Sequence, residues 1–136
     1  MSLQYEDILA TRNRIRGVIH RTDLVFSRTF SDMSGCEIYL KTENLQKTGS
    51  FKIRGAYNKI SQMTESEKER GVIAASAGNH AQGVAYAATL LGVKATVVMP
   101  ETTPLAKVTA TKGYGADVEL FGSYYDDAYA RAKELQ

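Results

Sequence analysis

One lysine in this chain stands where a side-chain amine could do covalent work. Lys52 lies in the run Lys47-Thr48-Gly49-Ser50-Phe51-Lys52-Ile53-Arg54-Gly55, which ends a polar turn and opens a helical periodicity. An amine attacks an aldehyde only when neutral, and a free lysine is almost wholly protonated at pH 7. Proteins make Schiff-base lysines reactive with apolar walls, neighbouring positive charge and helix N-termini. Phe51, then Lys47 and Arg54, then the helix start are features of those kinds, and Gly55 and Ala56 add little bulk one turn on. Read alone, the same pattern also describes a lysine on an exposed helix face, the commoner fate of that residue.

A second constellation is Ser76-Ala77-Gly78-Asn79-His80. Small residues before a helix leave backbone N–H groups open to a carboxylate or phosphate. Asn79 could donate to a phenolic oxygen, or simply cap the helix. His80 has the ordinary pKa of an acid or base, and it also suits a merely polar first turn. Other chemistry is excluded. No Gly-x-x-x-x-Gly-Lys-Ser/Thr phosphate loop occurs. Gly113-Tyr114-Gly115 lacks the third glycine of a dinucleotide fingerprint and follows a helix. Ser76 has no assembled histidine and acid partners. One cysteine, Cys36, with His20 and His80 alone, makes no structural metal site.

The elements around these residues follow from periodicity. Residues 4–17 read as a helix with Tyr5, Ile8, Leu9 and Ile15 on one face, closed by Gly17. Leu24 to Phe26 is extended, and Ser27 to Gly35 is polar with a helical turn. Glu37 to Glu43 reads as a strand. Ser50 is placed to cap a helix whose buried face is Ile53, Ala56, Tyr57, Ile60 and Met63. Thr64 and Glu67 form a capping box. Val72 to Ala75 and Ala95 to Met99 are buried strands, and Val118 to Phe121 is a third. Between them run a helix bearing Ala81, Val84, Ala85, Ala88 and Leu91, and one capped by Thr103 with Pro104 in its first position. A last helix carries Tyr125, Ala128, Tyr129 and Ala132, and its tyrosines, like Met33 and Met63, read as packing.

Strand and helix alternate from residue 37 onward. That predicts an α/β fold, a parallel sheet flanked by helices in three layers. The strand-to-helix loops at 44–50, 76–80, 100–103 and 122–124 should then gather at one sheet edge, where such folds bind ligands.

Bulk properties agree with a soluble globular protein. The 136 residues are 43% hydrophobic, enough for one core, and 17 basic against 15 acidic residues leave a net charge of +2. That balance makes no case for nucleic acid or an acidic membrane surface. No apolar run reaches a membrane span, and the first residues lack a signal-peptide pattern, so the chain is expected in the cytoplasm.

The two motifs together resemble those of threonine dehydratases (threonine ammonia-lyases) and serine racemases, pyridoxal-phosphate enzymes of the tryptophan-synthase β-like fold. Lys47 to Ala56 is similar to their cofactor-lysine motif and Ser76 to Gly83 to their second signature, in the same order and spacing. The resemblance implies that Lys52 forms the Schiff base with pyridoxal 5'-phosphate and then moves the substrate's α-proton. It implies that Phe51 packs beside the cofactor and Asn79 bonds its ring oxygen, and that Ser76, Gly78, Asn79 and His80 hold the substrate carboxylate. Threonine or serine would lose its α-proton and β-hydroxyl, and the released enamine would hydrolyse to a 2-oxo acid and ammonia. Residues 1–50 would belong to a large domain and 51–136 to a small α/β domain, in a homo-oligomer.

Two departures shape that expectation. Family racemases carry a serine at the position of Ala77, and alanine transfers no proton, so dehydration is favoured over racemisation. Family members are more than twice as long, with the glycine-rich phosphate loop and the partner of the pyridine nitrogen further on. The chain is therefore expected to represent the N-terminal portion, with weak cofactor binding and little activity alone. Two other readings stand beside this one: a serine racemase or another β-family enzyme, and a non-catalytic domain that binds a ligand or a protein.

Overall fold

The computed structural model describes residues 2–136. Its elements are α1 (Tyr5–Ile15), β1 (Leu24–Phe26), α2 (Arg28–Ser34), β2 (Tyr39–Lys41), α3 (Lys52–Ile60), α4 (Glu65–Arg70), β3 (Val72–Ala75), α5 (Asn79–Leu90), β4 (Ala95–Met99), α6 (Leu105–Gly113), β5 (Asp117–Leu120) and α7 (Tyr125–Leu135). Two short 3-10 turns, Glu43–Leu45 and Lys47–Gly49, join β2 to α3.

The apolar runs become a three-stranded parallel sheet in the order β3-β4-β5, with Ala75 opposite Val98 and Met99 opposite Leu120. Helices α3 and α5 cover one face through a core that includes Ile53, Ile60, Ala85, Val97 and Met99. Helix α7 covers the other through Val98, Ala128 and Ala132. Alternating side chains along β4 thus serve two cores, as the period of a strand requires. The alanines of α5 let it lie close to both its neighbours. Gly71 is fixed by a turn: φ is +84°, and a Cβ there would stand 2.7 Å from the Lys94 carbonyl oxygen.

Several expectations hold. Thr64 and Glu67 make the reciprocal capping box, with the Thr64 N–H donating to Glu67 Oε2 at 2.7 Å and the Glu67 N–H donating to Thr64 Oγ1 at 3.3 Å. The loops at 100–103 and 122–124 do meet: the Glu101 N–H donates to the Gly122 carbonyl at 2.8 Å and Thr102 Oγ1 to the Ser123 carbonyl at 3.1 Å.

Others are corrected. The strand at 37–43 was expected to lead the parallel sheet; β2 instead pairs antiparallel with β1, Val25 opposite Leu40. Alternation of strand and helix predicts one sheet only if each crossover returns to the same face. Here α2 is short, and the Ser27 N–H closes back on the Ile38 carbonyl at 2.9 Å, so the chain reverses within a separate unit. On α1 only Ile15 is buried; Tyr5, Ile8 and Leu9 face solvent. Met33 is exposed, and Tyr125 and Tyr129 stack on each other at the surface, centroids 6.1 Å apart. Pro104 rather than Thr103 flanks α6, and the buried Thr103 hydroxyl has no partner. Among the described residues no helix is long and apolar enough to cross a membrane.

The core assignment is testable by equilibrium urea unfolding. Met99→Ala, in a fully buried position, should cost about 3 kcal/mol, while Leu105→Ala, 78% exposed, should cost less than about 0.5 kcal/mol.

Candidate active site

Lys52 is the first residue of α3, and its backbone N–H reaches back to Ser50 Oγ at 3.4 Å. Ser50 thus takes a bond from the first turn as expected, although Phe51 holds the cap position. The residues before it are tightly shaped. Thr48 adopts φ +61°, a left-handed conformation that is rare and costly for a β-branched residue, and Gly49 follows at +66°. Gln46 is buried with both amide atoms bonded: its Oε1 accepts from the N–H groups of His20 at 2.8 Å and Lys47 at 2.9 Å, and its Nε2 donates to the His20 carbonyl at 2.7 Å.

The amine of Lys52 lies 4.9 Å from the centroid of the Phe51 ring, which is 57% exposed and forms an open wall. Lys47 and Arg54 do not act as the two free charges that the sequence suggested. The Lys47 ammonium sits 5.7 Å from the Tyr86 ring of α5. Arg54 is neutralised by Glu43, which accepts from Arg54 Nε at 2.8 Å and Nη2 at 2.7 Å, and from Thr22 Oγ1 at 2.5 Å. The bonds from Arg54 foremost, with that from Thr22 and the charges of Arg54 and Lys41 behind them, overcome desolvation and lower the Glu43 carboxyl to about 2. The same bonds raise Arg54 above its ordinary value.

The second constellation lies beside the first because α5 packs directly on the first turn of α3. A Cβ on Gly83 would stand 3.1 Å from both the carbonyl carbon and the Cβ of Lys52. Gly78 flanks the start of α5 with extended φ, and no side chain caps the N–H groups there. Its own N–H donates to Ser76 Oγ at 3.4 Å. Asn79 opens the helix and is exposed; it makes no cap. Desolvation first, and the charge of Lys52 second, push the His80 imidazole below its ordinary value.

The structure therefore brings Lys52, Phe51, Gly78, Asn79 and His80 to one region, with Ser76 and Ala77 at its rear. A groove of about 790 Å³ runs from His80 past Gly55 and Lys59 to the open edge of β3. A second apolar hollow of about 450 Å³, lined by Phe30, Met33, Ser34, Ile38 and Leu40, belongs to the N-terminal unit and not to this region.

A lysine amine, an aromatic face and uncapped N–H groups at a helix start suit an aldehyde-bearing aromatic ring and a carboxylate. This donor set on a parallel α/β sheet defines a class, enzymes that carry pyridoxal phosphate on a lysine. Residues 15–136 match the family model described as pyridoxal-phosphate dependent enzyme, and the chain belongs to that family. It is 56% identical over 131 residues to the L-threonine ammonia-lyase of Thermotoga maritima, covering 96% of this chain and 33% of that protein. The structure of maize serine racemase superposes with a TM-score of 0.94 at 34% identity, covering 100% of this chain and 41% of that one. Processed threonine deaminase isoform 2 from Solanum lycopersicum gives 0.84 at 39% identity, covering 99% and 39%. The fold is tryptophan-synthase β-like, and the chain spans about a third of the length of the relative from Thermotoga.

Sequence reasoning missed Glu43, Gln46 and Thr22, and misassigned Arg54. Two opposite charges eleven positions apart carry no periodic signal, and a buried glutamine is recognised only once its three partners are in place.

The Glu43 pair has a pH signature. A carboxyl lowered on folding stabilises the chain above its ordinary pKa, and the gain is lost as pH falls through the folded value. Glu43→Gln should cost about 2 kcal/mol at pH 7. That difference from wild type should shrink as pH drops from 4.5 towards 2, read from urea midpoints of the two proteins.

Proposed function

We propose that this chain supplies the lysine-bearing part of a threonine (or serine) ammonia-lyase. The observation that carries the reading is the contact between the first turn of α3 and the start of α5, which puts the Lys52 amine beside an uncapped helix N-terminus and His80. Support comes also from relatives named L-threonine ammonia-lyase at 56% identity in Thermotoga maritima and 52% in Geobacter sulfurreducens.

Pyridoxal phosphate supplies the electron sink that lets a bond to the substrate's α-carbon break heterolytically. Lys52 Nζ would hold the cofactor through its aldehyde carbon and, once freed, would take the α-proton of the amino acid. Phe51 would pack its ring beside the cofactor. Asn79 would donate from its side-chain amide to the cofactor's ring oxygen. The N–H groups of Gly78 and Asn79, with Ser76 and His80, receive the substrate carboxylate, whose charge suits the positive end of α5. His80 would donate one hydrogen bond there from a ring N–H.

Elimination rather than racemisation is favoured by Ala77. Returning a proton to the opposite face of the α-carbon needs an acid there, and a methyl group holds no proton. The likeness to maize serine racemase keeps racemisation as the second reading.

In the same proposal, residues 51–136 form the small α/β domain and residues 1–50 the start of a large one; the separate β1-β2 sheet supports that division. The exposed apolar side chains Leu24, Phe26, Phe30 and Leu40 suit burial against the rest of such a domain and within a homo-oligomer. The lone Cys36, free and exposed, suits the reducing cytoplasm.

The test is a graft. Placed over the matching third of the Thermotoga maritima relative, this chain should sustain ammonia release from threonine. Lys52→Ala in the graft should abolish it, by at least about a thousandfold. Retained activity in Lys52→Ala, or D-serine from L-serine as the dominant product, would sink the proposal.

A further inference from the structure

The first turn of α3 is weakly held by its own local bonds. Phe51 at the cap makes no side-chain bond, and the Lys52 N–H bond to Ser50 is long at 3.4 Å. Among the described residues no side chain hydrogen-bonds the Lys52 amine, so the amine goes where its turn goes. Ile53, fully buried, fixes how deep the turn sits. Ala56 and Ile60 continue that buried face along one side of the helix.

The Arg54 side chain is 29% exposed and that of Glu43 16%, and two parallel N–H donors meet two carboxylate oxygens. Such a fork sets orientation as well as distance. At 100° per residue, Arg54 projects about 200° round the helix from Lys52, so the pair pins the backbone from the side away from the amine. Glu43 is itself anchored. Thr22, buried, donates its hydroxyl to Glu43, and the Lys41 ammonium bonds the Thr22 carbonyl. The chain before β1, the end of β2, the 3-10 turn and α3 are thereby tied at one point two residues from the reactive amine.

We propose that Glu43 and Arg54 are positioning residues for Lys52: their fork sets the rotation of the first turn of α3 and so aims the amine at the start of α5. The inference rests on the reading of Lys52 as the cofactor lysine. It adds that the charge and the Nε–Nη2 fork of Arg54 serve Glu43 rather than a substrate or cofactor anion.

Labelling tests both parts. The chain is treated with pyridoxal phosphate and borohydride, and label on the Lys52 peptide is divided by label on exposed Lys107. A second arm uses formaldehyde and cyanoborohydride, which need no cofactor site. All variants are labelled at a temperature where circular dichroism shows them folded. Glu43→Gln keeps shape and loses charge; Arg54→Lys keeps charge and loses the fork. In both, the pyridoxal ratio should fall about tenfold, the change expected from losing a charged hydrogen bond. The formaldehyde ratio should rise towards that of a free lysine as the amine leaves the Phe51 ring. Val98→Ala, in the core under α7, should lower the melting temperature and leave both ratios at wild type. Unchanged formaldehyde ratios in Glu43→Gln and Arg54→Lys would overturn the inference, as would an equal change in Val98→Ala. If wild-type Lys52 takes no more pyridoxal label than Lys107 while the formaldehyde ratio still follows the pair, the assignment of Lys52 fails and the positioning stands.

Discussion

The structure depends on one close approach, that of α5 to the first turn of α3. The missing side chain at Gly83 lets backbone carrying the second loop rest on backbone carrying Lys52. Loops that belong to one parallel sheet are neighbours by topology, as the meeting of 100–103 with 122–124 illustrates. The turn before Lys52 follows β2, which is in the other sheet, so topology brings it nowhere near the start of α5. Helix packing performs that task instead. It does so against the common core of Ile53, Ile60, Ala85, Val97 and Met99, whose burial stabilises the junction far more than any single polar bond can.

Charge is arranged around that junction in a consistent way. Two cations near Lys52 have partners: Arg54 is held by Glu43, and Lys47 lies over Tyr86. Desolvation, with the charge of Lys52 behind it, shifts the His80 imidazole towards its neutral form. An incoming anion therefore meets the start of α5 and the lysine rather than a diffuse basic patch. That agrees with a net charge of only +2 on a chain whose family cofactor carries a phosphate.

The sequence made the parallel core and its loops legible because buried strands there are short apolar runs bounded by Gly and Ser, and β4 was read to the residue. It also gave the motif that contains Lys52. It misled at the N-terminal unit. Periodicity in α1 and β-formers at 37–43 are local signals, and they do not say which sheet a strand joins or whether an apolar face finds a cover. The apolar residues of β1, α2 and β2 are as hydrophobic as core residues yet exposed, and nothing in their own spacing distinguishes the two cases. Thr48 was invisible for another reason: its left-handed φ belongs to a residue type that seldom adopts it, so propensity argues against what the turn requires.

A backbone shared at a TM-score of 0.94 with a serine racemase and at 0.84 with a threonine deaminase does not choose between their reactions. Both need the α-proton removed on the face where a lysine stands, and both hold an amino acid by its carboxylate. They part afterwards. Racemisation requires a proton held ready on the other face, whereas elimination requires only that the β-hydroxyl depart before any proton returns. A fold sets distances between side chains, and what those side chains can hold is a separate matter. At position 77 the chain places a methyl group between Ser76 and Gly78, in a turn whose backbone is otherwise suited to carboxylate binding. Under the proposed function carboxylate binding is kept there and proton return is not, so the hydroxyl oxygen that alanine lacks would separate the two reactions.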